Sequence, residues 1–236
     1  MMVGAPLEIL YEDDWFLAVN KPSGILVHRT GISEDKRFVL QLLRNQVGYR
    51  VYPIHRLDRG TSGVLLFGKH QEAAAFMGLQ LRTREVRKQY LAIVRGFMDA
   101  QDTIDYPIAD APGEPKQEAV THYRRLAQAE INTPVGRYAT ARYSLVEITP
   151  ETGRFHQIRK HFSHLRHPVI GDKKHGDIKH NAYFREVLNI PRLLLHASQL
   201  AFPHPQTADI MLKIEAPLDS TFLAALEVLG LHWEEK

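Results

Sequence analysis

The chain contains no cysteine. That absence excludes disulfides, thiolate nucleophiles, Cys-ligated zinc and iron–sulfur clusters. No window approaches the roughly 18 unbroken apolar residues that a membrane-spanning helix needs. The opening MMVGAPLEILYEDD lacks a basic segment followed by a long apolar one, so no secretory leader is expected and the expected compartment is the cytoplasm. Neither a Gly-rich dinucleotide fingerprint nor a Walker loop occurs, which leaves a nucleotide cofactor unsupported. The G-x-S-x-G elbow of serine hydrolases is missing too. Low-complexity tracts, internal repeats and long linkers are absent. What is present is an ordinary globular composition, 44% hydrophobic and 24% charged over 236 residues, enough to build a core without staples.

Charge of either sign is not in large excess: 30 Lys+Arg against 27 Asp+Glu gives +3. Its distribution says more. Arg154–His180 holds seven Lys/Arg, two Asp and six His, and Arg82–Arg95 holds five Lys/Arg and one Glu. Acids gather at Glu8–Asp14, Asp99–Glu118 and Glu234–Glu235. Clustered cations on a near-neutral chain suit a polyanion such as RNA, and also suit solvated helix faces. Arg82, Arg84, Arg87, Lys88, Lys173, Lys174 and Lys179 are the cations that charge alone offers for phosphate contact. Binding through them is expected to weaken with salt, and to strengthen mildly as falling pH charges the histidines.

Apolar periodicity predicts a mixed set of elements. Strands are expected at Leu7–Tyr11, Phe16–Asn20, Ser62–Gly68, Gln89–Gly96, Ala119–Ala127, Tyr138–Ile148, Leu193–Phe202 and Ile210–Glu215, with Ile25–His28 also extended. Helices are expected at Phe38–Val47, Gln71–Arg82, His156–Leu165 and Phe222–Leu229, the last capped by Asp219. Asp110–Lys116 reads as a loop. Strands follow one another with helices inserted irregularly, which predicts an α+β fold with a mixed, mainly antiparallel sheet.

Three constellations carry possible chemistry. In Ile54-His-Arg-Leu-Asp58-Arg-Gly-Thr-Ser-Gly63, a carboxylate stands among His55, Arg56 and Arg59 just before an apolar strand. Asp58 there suits a nucleophile or general base, and equally a turn Asp bonding local backbone. In Thr152-Gly-Arg-Phe-His-Gln-Ile-Arg159-Lys-His161, helical spacing puts His156, Arg159 and Lys160 near one face. Such an Arg could keep a carboxylate ionised, or the helix could be a basic solvated one. Tyr90, after Arg87 and Lys88, suits base stacking or sheet packing. His156, His161, His164 and His167 have the wrong spacing for a metal site, and few carboxylates lie nearby.

Together these segments resemble the RluA-type pseudouridine synthases. The resemblance is carried in order by Glu8–Asp14 with Ala18-Val-Asn-Lys-Pro-Ser-Gly24, His55-Arg-Leu-Asp58 with Thr61-Ser-Gly63, Lys88–Gly96, Thr152–His161, Pro168–Asp172 with His175-Gly176, and Leu195-His-Ala197. It covers residues from about 7 to about 230 and implies one catalytic domain spanning 1–236. In that reading the first six or so residues form a tail, there is no separate N-terminal RNA-binding module, and the central sheet is curved with flanking helices. It implies an enzyme without metal or organic cofactor that converts uridine to pseudouridine. By position, Asp58 is the catalytic carboxylate, Arg159 its cationic partner, Tyr90 the ring on the uracil, and Arg56 the residue entering the vacated stack. Leu195 walls the pocket, and His55, Lys88, Arg154 and His156 are further candidate RNA-binding residues. A narrower likeness lies in Leu26-Val-His-Arg29, Ala119–Arg124, Gly136-Arg-Tyr138 with Arg142-Tyr143, His164–Pro168 and Lys174–Asp177. It points to a tRNA-modifying branch of the family, to uridine 65 where the T stem meets the acceptor stem, and to a monomer. A ribosomal RNA uridine, RNA binding without catalysis, and a histidine-based metal hydrolase are the competing functions.

Overall fold

The structure is a computed structural model that describes residues 6–28, 37–111 and 113–233. Arg29, Pro112 of the expected loop, Glu234–Glu235 and most of the expected N-terminal tail lie outside the described residues. In chain order the elements are β1 (Glu8–Glu12), β2 (Phe16–Lys21), α1 (Val39–Val47), β3 (Tyr52–Pro53), β4 (Ser62–Gly68), α2 (Gln71–Arg82), β5 (Arg87–Arg95), β6 (Gln101–Asp105), β7 (Val120–Ile131), β8 (Ala141–Pro150), α3 (Gln157–His164), α4 (Ile178–Glu186), β9 (Leu195–His204), β10 (Thr207–Glu215) and α5 (Ser220–Leu229). The expected α+β class holds, with mostly antiparallel pairing. The chain divides into two compact units, residues 1–87 with 197–217, and residues 88–196 with 218–236.

In the first unit β1, β2 and β4 lie side by side, β3 pairs with one end of β4, and β10 pairs with β9. All seven residues of β4 are buried, which explains why it reads as an unbroken apolar run rather than an alternation. One face of these strands, with Phe16, Ala18, Val64, Leu66 and Phe202, packs on Ala73 and Met77 of α2. Each fully buried large side chain contributes about 1.5–3 kcal/mol. Gly63 is dictated by close packing: at φ +109° it approaches Ala197 so nearly that a Cβ would meet the Ala197 carbonyl oxygen at 2.1 Å. The segment 25–28, expected to be extended, forms only an isolated bridge from Leu26 to Phe38. Its own carbonyls instead receive the first N–H groups of α1, Val39 and Leu40 N–H donating to Leu26 and Val27.

The second unit is built on β5, β8, β7 and β6 in that order. The alternation expected along β5 is observed: Leu91 and Ile93 enter one apolar cluster, Ala92 and Val94 the other. Helix α5 begins at the expected cap, where the Asp219 carboxylate accepts the Phe222 N–H. Three elements were not foreseen: the two-residue β3 of the first unit, β6, whose sequence QDTID has one buried residue, and α4, whose cap Asp177 accepts from Lys179 and His180 N–H.

Candidate active site

In the first unit, Asp58 sits half-buried in the connection from β3 to β4. Its carbonyl accepts the Thr61 N–H at 3.1 Å, so the residue does close a local turn. The loop is held from below by Lys21, at the end of β2 and 0% exposed. The Lys21 ammonium donates to the carbonyls of Thr61 at 2.7 Å, Pro22 at 3.0 Å and Arg59 at 3.2 Å. A buried ammonium is tolerated only when its protons are spent in this way. The next residues continue the lacing: Ser23 Oγ donates to Gly60 O at 2.7 Å, and Gly24 N–H to Arg59 O at 2.8 Å. Arg59 Nε in turn donates to Gly24 O at 2.9 Å. His55 accepts the Leu66 N–H at its Nε2, 3.1 Å, and so ties the loop to the middle of β4. Arg56 is exposed, while the neighbouring Leu57 is buried.

In the second unit, Arg159 lies on α3 and is almost fully buried. Its guanidinium grips Asp172 as a fork, Nε to Oδ2 and Nη2 to Oδ1, each at 2.7 Å. Asp172 also accepts the backbone N–H groups of Lys174 and His175. Burial works to raise the Asp172 carboxyl, but the Arg159 bonds and charge and those amides outweigh it and hold the group below its ordinary value. The fork fixes both the plane and the position of the guanidinium.

The turn ahead of α3 is organised by Gln157, which is buried and fully used. Its Oε1 accepts from Thr152 Oγ and the Arg154 N–H, and its Nε2 donates to Val120 O and Thr121 Oγ. Arg154 Nε donates to Glu118 O at 3.0 Å, and the Lys88 ammonium to Thr152 O at 3.3 Å. Burial pushes the Lys88 amine down. Tyr90 packs against a buried cluster that contains Leu195, Ile148 and Ile158, so the expected ring and the expected wall meet the same apolar surface.

His156 differs from expectation. It precedes α3 in a left-handed conformation, φ 58°, instead of lying on a helical face with Arg159 and Lys160. Its ring stacks on Phe155 at 3.8 Å, and its Nδ1 lies 3.0 Å from His175 Nε2. The reading of α3 as a basic solvated helix is overturned as well. Gln157, Ile158, Arg159, His161 and Phe162 are all buried, and Lys160 donates to Ala109 O. His161, completely buried, lies within hydrogen-bond distance of Thr121 Oγ and Tyr106 O. The histidines that spacing grouped together disperse to separate partners, His164 stacking on Tyr106 and His167 contacting Arg95 O.

Sequence reasoning assigned no role to Lys21, Gln157, Asp172 or His175. All four lie inside motifs that carry the resemblance, yet nothing in their residue types or spacing shows which groups they bond.

The family profile described as RNA pseudouridylate synthase matches residues 15–164. The chain belongs to this family, of the RluA type, and is an enzyme that isomerises uridine in RNA to pseudouridine. It is 46% identical over 235 residues to the tRNA pseudouridine synthase C of Salmonella typhimurium, covering 95% of this chain and 90% of that one. Against the protein of the same name from Haemophilus ducreyi the identity is 46% over 239 residues, with 97% and 98% coverage. Among solved structures, Human RNA Pseudouridylate Synthase Domain Containing 4 superposes with a TM-score of 0.76 at 25% identity, covering 97% of this chain and 95% of that one. Human RNA Pseudouridylate Synthase Domain Containing 1 gives 0.72 at 25% identity over the whole of both chains.

Proposed function

We propose that this enzyme converts one uridine of tRNA, uridine 65, to pseudouridine, with Asp58 as the catalytic carboxylate. The observation that carries the tRNA reading is the near full-length identity, about 45%, to proteins named tRNA pseudouridine synthase C. The reaction breaks the N1–C1′ bond of uridine, turns the uracil and joins its C5 to C1′. N1 gains a proton and C5 loses one, so atoms balance without a co-reactant. A stacked uridine cannot be reached, and turning it out of the helix costs a few kcal/mol. Arg56, exposed on its loop, is suited to fill the vacated stack, and Tyr90 to lie against the uracil with Leu195 behind it.

Asp58 must be ionised whether it attacks carbon or removes a proton. Arg159 is its cationic partner in the family resemblance, and Asp172 keeps that guanidinium oriented. Lys88, Arg154, His55 and His156 are supporting RNA contacts. The same reading makes the enzyme a monomer acting in the cytoplasm as a single catalytic domain.

Carbodiimide primer-stop mapping on tRNA treated with purified protein tests the proposal. A new stop at uridine 65, absent with Asp58→Ala and with Asp58→Asn, is expected. A stop on ribosomal RNA alone would move the substrate, and substantial turnover by either variant would remove Asp58 from its role.

A further inference from the structure

Gly136-Arg-Tyr138 and Arg142 belong to the narrower likeness, yet nothing in the isomerisation chemistry uses them. Gly136, Arg137 and Tyr138 lie in the turn between β7 and β8, and Arg142 lies at the start of β8. Tyr138 is 52% exposed, and the Arg137 guanidinium sits 5.0 Å from its ring centroid while donating to its hydroxyl. Across the adjoining strands, Gly96 N–H donates to Arg142 O, which places Phe97 beside β8. Phe97 is 37% exposed, and the Arg142 guanidinium lies 5.0 Å over its ring. The same end of the second unit thus carries two exposed aromatic rings, each with an arginine over it.

This turn is anchored. Val135, buried in the core cluster with Ala141, bridges to Tyr138. Gly136 takes φ +76°, and a Cβ there would come within 3.1 Å of Lys179 Cδ, so the lysine stem of α4 lies across the turn. Lys179 adds a third exposed cation. Of the acids nearby, Glu130 pairs with Arg142 at 3.2 Å and Asp177 with Arg95 at 2.6 Å. Arg137 and Lys179 therefore set the net sign of the patch. Large apolar rings are usually withdrawn from water, and rings held beneath guanidinium groups offer a stacking face beside a phosphate-binding charge.

We propose that the β7–β8 turn, with Tyr138, Arg137, Phe97, Arg142 and Lys179, is a docking surface for tRNA that selects the substrate and takes no part in the chemistry. Charge and aromatic complementarity point to RNA. The inference rests on tRNA being the substrate, and the test separates the two. Wild type, Arg137→Ala/Tyr138→Ala and Tyr138→Phe are titrated with full-length tRNA at several salt concentrations, and turnover is measured at saturating tRNA.

The double variant is expected to bind about tenfold more weakly, with the slope of log K against log salt smaller by about 1. Its turnover at saturation should stay within about twofold of wild type. Tyr138→Phe, which keeps the ring, should bind like wild type. A double variant that binds tRNA as wild type does, or that loses turnover with unchanged affinity, overturns the proposal. Wild type that neither binds nor modifies tRNA overturns the substrate reading instead, before any variant is compared. If the double variant melts early, the exposed single change Arg137→Glu makes the same test, with weaker binding expected and unchanged binding contrary.

Discussion

Lys21 and Arg159 are both cations withdrawn from water, at 0% and 9% exposure, and the protein stabilises them by different means. Lys21 spreads a compact charge over backbone carbonyls from two segments about 40 residues apart. Arg159 presents a planar fork to one carboxylate that has its own amide support. Lysine suits the first task because a rotating ammonium can meet converging carbonyls, and arginine suits the second because the fork fixes a plane. Carbonyl dipoles thus shape the loop that carries Asp58, while Asp172 aims a side chain.

The comparison is broken most severely at Asp172. Asp172→Ala leaves a buried guanidinium without its counter-charge and should cost about 3–5 kcal/mol in urea unfolding. Asp172→Asn keeps the shape and should retain part of that while lowering turnover. The pH sign follows from the depressed carboxyl. Stability from this pair is complete above the unfolded value near 3.8 and is lost as pH falls through the lower folded value. Unfolding midpoints that ignore pH below about 4 in wild type, and not in Asp172→Asn, would contradict this.

Lys21 comes next. Lys21→Met keeps the stem but removes all three bonds and leaves the buried Thr61 carbonyl without its ammonium, at about 1–3 kcal/mol. Turnover should fall more than tRNA affinity, because the loop carries Asp58 while most of the proposed RNA contacts lie on other segments. Lys21→Arg should fail to restore it, since a flat fork does not fit three converging carbonyls. Full rescue by arginine would mean that charge alone matters there.

The smallest effect belongs to the buried histidines. Burial pushes His161, His175 and His180 down, so acid charges them less readily in the folded protein than in the unfolded chain. Their contribution to stability is present above the unfolded value of 6.5 and declines as pH drops toward their folded values. His161→Gln should flatten part of the slope of unfolding free energy between pH 6.5 and 5. An unchanged slope would mean that folding does not lower the proton affinity of His161.

Legibility followed local pattern. β4 and α2 came out at their observed bounds, because a short apolar run ending in Gly68 and an Ala-, Met- and Leu-rich stretch carry their periods openly. Strand β6 had no period to detect: four of its five residues are polar or charged. α4 has two buried residues in nine, so only its capping Asp177 announced it. Among candidate site residues, the motif positions were readable and their supports were not. Nothing near Arg159 in the chain shows that its fork closes on Asp172, 13 residues on. His156 could not be placed off the helix, because its left-handed backbone belongs to the turn that Gln157 assembles.

By itself the sequence determined most of the elements, the absence of thiol chemistry, and the order of motifs that marks an RNA-modifying isomerase. These are local properties, written in side-chain period and residue type. Only the tertiary structure decided which charges leave water. Lys21, Gln157, Arg159, His161 and Asp172 all look like surface residues in the chain, and all are buried. The physical reason is that burying a polar group depends on partners, and those partners arrive from distant segments only when the strands and helices pack.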